Sequence, residues 1–71
     1  MSDNEPETEE ALTARLAELT LEHSDLDAAV QALALAPLPD MMVIGRLKRK
    51  KLALKDEIAR IRELLTPDII A

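Results

Sequence analysis

Apolar residues recur along the first half of the chain at positions 12, 16, 19, 26, 30 and 33, and His23 keeps the phase where the pattern lapses. Steps of four and three return side chains to one stripe of an α-helix, the spacing of a heptad seam. A second seam reads Ile44, Leu47, Lys51, Leu54, Ile58, Ile61 and Leu65, broken only by Lys51. Between them lies Ala36-Pro37-Leu38-Pro39. Each proline biases its predecessor away from the helical region and lacks a backbone N–H, so the first helix must stop there. Asp40 then suits the N-cap of a second helix. Upstream, Asn4 and Glu7 have capping-box spacing, and Pro6 among Glu5, Glu7, Glu9 and Glu10 suits a helix start. The pattern predicts helix one over about 7–36, a turn at 37–40, helix two over about 41–65, and a short tail, 66–71, beginning at Thr66-Pro67. Gly45 costs about 1 kcal/mol inside a helix, so an alternative is a turn that extends that far.

If the chain doubles back at residues 38 and 39, the two seams meet in register: 12 faces 65, 16 faces 61, 19 faces 58, 23 faces 54, 26 faces 51, 30 faces 47 and 33 faces 44. Helices of this length measure roughly 35 to 45 Å at about 1.5 Å per residue. The expected fold class is therefore all-α, a two-helix antiparallel coiled-coil hairpin forming a single domain over residues 1–71. A chain of 71 residues is near the size at which one core barely outweighs chain entropy. Ala14, Leu21, Ala28 and Leu35 lie seven apart on the side of helix one opposite the seam, and Leu52 and Ala59 lie off the seam in helix two. These residues favour a homo-oligomer, with a dimer forming a four-helix bundle as the simplest closed arrangement.

Composition narrows the function classes. Without Phe, Tyr or Trp the core must be aliphatic, which suits helix seams better than sheet faces. Without Cys there is neither a disulfide nor a thiolate metal site, as suits a reducing compartment. The acidic start, Met1 to Glu5, is unlike a signal peptide, and no apolar run is long enough to span a bilayer, so a soluble cytoplasmic protein with no membrane span is expected. The net charge of −5 is unevenly spread: residues 1–36 hold nine acids and one base, residues 37–71 five acids and eight bases. Such halves attract one another and leave a basic surface for other partners.

Few residues carry candidate chemistry. His23 with Asp27 one turn later has the spacing of a metal-ligand pair or of a base with its orienting carboxylate, but a metal needs three or four ligands and a base needs a nucleophile and a pocket. The favoured reading is a seam histidine hydrogen-bonded to Asp27. Because Lys51 faces Leu26, the expectation is one polar cluster of His23, Asp27 and Lys51 that interrupts the seam and fixes its register. Arg46, Lys48, Arg49 and Lys50, with Lys51, make five cations in six residues. Phosphate contact is one use for them; a solvated face partly neutralised by helix one, as by Asp27 on Lys48, is the plainer one. No aromatic residue is present to stack on bases. Lys55, Asp56, Glu57, Arg60, Arg62 and Glu63 alternate in sign like exposed coiled-coil flanks, and the tail offers two isoleucines as a docking peptide or a frayed end. No phosphate-binding glycine loop or nucleophile motif occurs.

His23, Leu26 and Asp27, followed by Leu47-Lys48-Arg49-Lys50-Lys51-Leu52-Ala53-Leu54-Lys55-Asp56-Glu57-Ile58, resemble the YdcH-like family of small bacterial proteins, a domain of unknown function, over roughly residues 12 to 65. The resemblance implies a cytoplasmic helical hairpin and brings no activity, cofactor or catalytic residue. In that family the linker is often more polar than Ala34 to Asp40 here. The resulting expectation is a non-enzymatic coiled-coil interaction or adaptor protein, with no cofactor and no metal, that binds itself and an unidentified protein partner. Its candidate surface is Leu21, Leu35, Arg46, Lys48, Arg49 and Lys50. The alternative is a nucleic-acid-binding accessory protein using the basic stretch, and an enzyme is third.

Overall fold

The computed structural model describes residues 8–66 and contains two helices, α1 (Glu9–Ala34) and α2 (Met41–Leu65), packed against each other as a hairpin. No strand occurs among the described residues. The Asn4–Glu7 capping box, Pro6 and tail residues 67–71 lie outside them.

The ends of α1 differ from the sequence expectation at both boundaries. Thr8, in extended backbone, caps the helix: its Oγ1 accepts from the Ala11 N–H at 3.0 Å, so helix geometry begins at Glu9 rather than about residue 7. At the other end the helix stops at Ala34, two residues before the expected 36. Pro37 has no N–H to give the Leu33 carbonyl, and the Ala36 N–H takes that acceptor instead at 3.2 Å. The Leu35 N–H is shared between the Gln31 and Ala32 carbonyls, both at 3.2 Å, which tightens the last turn. The connection is therefore 35–40.

Asp40 caps α2 as expected, its Oδ1 accepting from the Met42 and Val43 N–H groups at 3.0 and 3.2 Å. Gly45 lies within α2 and not in the turn; the cap at Asp40 starts the helix a full turn earlier. At the far end Thr66 closes α2 through its N–H and Oγ1, both donating to the Arg62 carbonyl.

Every position of the two seams is buried or half-buried. Leu12, Leu19, Ile58 and Ile61 form one buried cluster, with Leu16, Leu54 and Leu65 packed against it, the membership required by 12 facing 65, 16 facing 61 and 19 facing 58. Val30 and Ile44, buried near the turn, lie outside this cluster. His23, opposite Leu54, and Lys51, opposite Leu26, separate the two apolar segments. Ala14, Leu21, Ala28, Leu35, Leu52 and Ala59 are all exposed.

A Cβ built at Gly45 would meet only an Arg49 guanidinium nitrogen, at 4.0 Å. Gly45→Ala is expected to stabilise the hairpin by about 0.5 to 1 kcal/mol through helix propensity alone. Urea unfolding at fixed protein concentration checks it, and a loss of stability would mean that another chain packs closely at this position.

Candidate functional site

With seam residues written as heptad positions a and d, Lys51 is an a residue and Asp27 an e residue on the flank. An ammonium in an aliphatic layer must reach an edge or a partner. The Lys51 stem lies in the seam, half-buried, and its Nζ reaches outward to donate to Asp27 Oδ1 at 2.7 Å. Gln31 Nε2, one turn beyond Asp27 on α1, donates to the second carboxylate oxygen at 3.0 Å. The hydrogen bond from Lys51, then its charge, then Gln31 and the charge of His23 hold the Asp27 carboxyl below its ordinary value, opposed by partial desolvation.

The structure thus joins two of the three residues of the expected polar cluster and places the third beside them. The expected His23–Asp27 hydrogen bond is not formed; the carboxylate oxygens accept from Lys51 and Gln31 instead. His23 lines a shallow hollow on the same flank with Thr20, Lys51, Lys55 and Arg62. Asp27 is drawn to Lys51 and not to Lys48, so helix one neutralises the last cation of the basic stretch rather than the one expected. Arg46, Lys48, Arg49 and Lys50 are exposed and form no ion pair among the described residues.

On the opposite flank Arg15 Nη2 and Glu57 Oε2 meet at 3.3 Å across the helices, and Arg60 lies 4.0 Å from the same carboxylate oxygen. Alternation of charge in the sequence suggested only solvated flanks here. The register contains the missing signal, because positions 15 and 57 are both g residues, which face each other in an antiparallel pair. Gln31 was legible in the same way, four residues after Asp27 on one helix face. Among the described residues, no group of three or more His, Asp and Glu side chains is placed to hold a metal, and no helix is long and apolar enough to cross a membrane.

A model of a family described as a protein of unknown function, DUF465, matches residues 16–62. The chain belongs to that family. YdcH is another DUF465 member, so the resemblance seen in the sequence is sustained. No curated protein and no solved structure matches the chain. The DUF465 match spans both seams, the Asp27–Lys51 pair and the basic stretch, and it ends before both helix termini at the open end of the hairpin.

Because the folded carboxyl is depressed, Asp27 contributes stability above its ordinary, unfolded value, and this is lost as pH falls through the lower folded one. The stability difference between the parent and Asp27→Asn is therefore expected to be largest at neutral pH and to close in acid; a difference independent of pH would contradict the pairing. Lys51→Leu is expected to leave the thermal midpoint unchanged or raise it by up to about 5 °C, since an aliphatic side chain fills the layer and Asp27 remains solvated. A collapse of helicity in circular dichroism would show instead that the pair carries the fold.

Proposed function

We propose that the chain is a non-catalytic cytoplasmic interaction module, an oligomeric helical hairpin, dimeric in its simplest form, that docks onto a protein partner. The observation that carries the reading is the second apolar stripe. Ala14, Leu21, Ala28 and Leu35 are exposed at heptad spacing on the face of α1 that points away from α2, and Leu52 and Ala59 are exposed on α2 in the same phase as Gly45. Among the described residues only six, all aliphatic, are buried within the hairpin itself. A rod with so small a core gains most by covering a second stripe, and a four-helix bundle does so symmetrically. The polar groups nearest to a catalytic arrangement, Asp27 and Lys51, are engaged with each other, as suits pairing better than proton transfer.

The exposed basic stretch supports a second reading, a nucleic-acid accessory role through Arg46, Lys48, Arg49 and Lys50. In that case binding falls steeply with salt and disappears in an Arg49→Glu, Lys50→Glu variant.

Sedimentation equilibrium separates the outcomes for the first reading. The parent is expected to be a dimer or larger, and Leu21→Asp with Leu52→Asp is expected to lower the association constant at least tenfold by leaving charges in the contact. A parent that is monomeric at the highest attainable concentration contradicts the oligomeric reading. Crosslinked recovery of a stoichiometric, nuclease-resistant protein supports the adaptor role, whereas nucleic acid recovered only by the parent and not by the charge-reversal variant supports the second reading.

A further inference from the structure

Among the described residues, four of the seven exposed large apolar side chains fall within eight positions at the closed end of the rod: Leu35, Leu38, Met41 and Met42, at 85%, 91%, 67% and 74% exposure. Pro37 and Pro39 stand exposed between them. From Ala28 to Gly45 the only charged side chain is Asp40, whose Oδ1 accepts from the Met42 and Val43 N–H groups at the start of α2. Immediately behind this apolar tip come Arg46, Lys48, Arg49 and Lys50, all exposed. At the same height α1 presents Ala28, Ala29, Gln31 and Ala32, while Asp27 is engaged by Lys51 and Glu22 shares a hollow with Lys50 without forming an ion pair with it, so most of the band's charge is left uncancelled by the facing helix.

The charge of the rod is segregated lengthwise. Residues 26–51, the closed half, carry five bases and two acids, a net +3, whereas the described residues of the open half, 8–25 and 52–66, carry four bases and eight acids, a net −4. With a Debye length of about 8 Å at physiological salt, the acidic end of a helix roughly 39 Å long is screened from a surface that the tip touches. The two helix dipoles are antiparallel and oppose one another at the tip, leaving the side chains to set its field.

We propose that this end of the hairpin docks onto an anionic lipid bilayer, with Leu38, Met41 and Met42 entering the interface and the basic band meeting lipid phosphates. Dimensions support the match. A monotopic element buries its apolar face about 5 to 10 Å into the headgroup and acyl boundary. At about 1.5 Å per residue, Arg46 to Lys50 stand roughly 7 to 14 Å along α2 from Met41, level with the headgroups when the tip is so seated. The tip is a convex turn, and a fluid interface accepts such a shape without a complementary groove. An apolar insertion and a basic cluster together supply the two weak signals that reversible membrane attachment needs. The inserting residues Leu38, Met41 and Met42 lie at the end of the rod and outside the outer stripe, which shares only Leu35 with the tip.

Co-sedimentation of the full chain with vesicles at physiological salt tests the proposal. One vesicle set is phosphatidylcholine alone, and the other is phosphatidylcholine with phosphatidylserine in equal parts. The parent is expected to partition to the anionic vesicles and not to the neutral ones. Arg49→Glu with Lys50→Glu should weaken partition at least about thirtyfold, and Leu38→Asp about tenfold. Leu38→Ser and Met42→Ser report on the tip without adding charge, and circular dichroism verifies that each variant stays helical. No partition, or partition indifferent to phosphatidylserine, overturns the proposal. So does partition unaffected by every tip variant, which would leave charge alone. Loss of partition when duplex DNA is added at modest excess assigns the band to nucleic acid, and a tip variant that changes only the sedimentation mass assigns the tip to contacts between copies; either result overturns it.

Discussion

An ammonium placed in an aliphatic seam has to leave it or be paired, and Lys51 does both. Its stem completes the layer opposite Leu26, and its charge emerges on the flank at Asp27. This meeting is possible in only one alignment of the two helices, because a slip of one heptad would leave the cation among leucines and the carboxylate without its partner. Leucine and isoleucine layers alone discriminate poorly between registers, since one aliphatic layer resembles the next. The half-buried pair supplies the discrimination, and the Arg15–Glu57 contact on the other flank agrees with it. A modest sacrifice in core continuity, visible in the separation of Val30 and Ile44 from the main cluster, gives a single alignment.

That alignment determines where everything else points. With the a and d positions committed to the seam, the f positions of α1 form the outer apolar stripe and the c, e, f and g positions early in α2 form the basic band. The short turn then gathers four large apolar side chains at one end, ahead of the cations. The described residues therefore present surfaces of different chemistry along the rod and at its tip, with shallow, open hollows between the helices. Membership of a family of unknown function places no activity on these surfaces, and their physical character carries the functional argument.

The seams, the register, the cap at Asp40 and the extent of α2 were legible because each depends on local periodicity or on one residue with a strong preference. The ends of α1 were harder. Asn4, Pro6 and Glu7 offered a capping pattern, yet Thr8 caps the helix, and hydroxyl and amide caps differ too little in intrinsic strength for sequence to rank them. Proline forbids helix at its predecessor, but it does not say how far back the chain tightens; the end of α1 was decided by which carbonyls, among Gln31, Ala32 and Leu33, the Leu35 and Ala36 N–H groups reach. Likewise, His23 has the right spacing for Asp27, but so has Gln31, and a lysine arriving from the other helix outweighs both because it brings a full charge. The concentration of apolar residues at the turn lies within eight consecutive positions of the sequence; their exposure at one end of the rod is what the folded helices add.

The measurement that tests the central claim most directly is thiol crosslinking in this cysteine-free chain. Positions 22 and 50 line the same hollow between the helices, whereas 22 and 43 would come together only after a slip of one heptad. With a short bis-maleimide, Glu22→Cys paired with Lys50→Cys is expected to crosslink rapidly and within one chain, and Glu22→Cys paired with Val43→Cys is expected to do so only when Lys51→Leu is also present. Equal yields for the two pairs with Lys51 intact would contradict a register fixed by the Asp27–Lys51 pair.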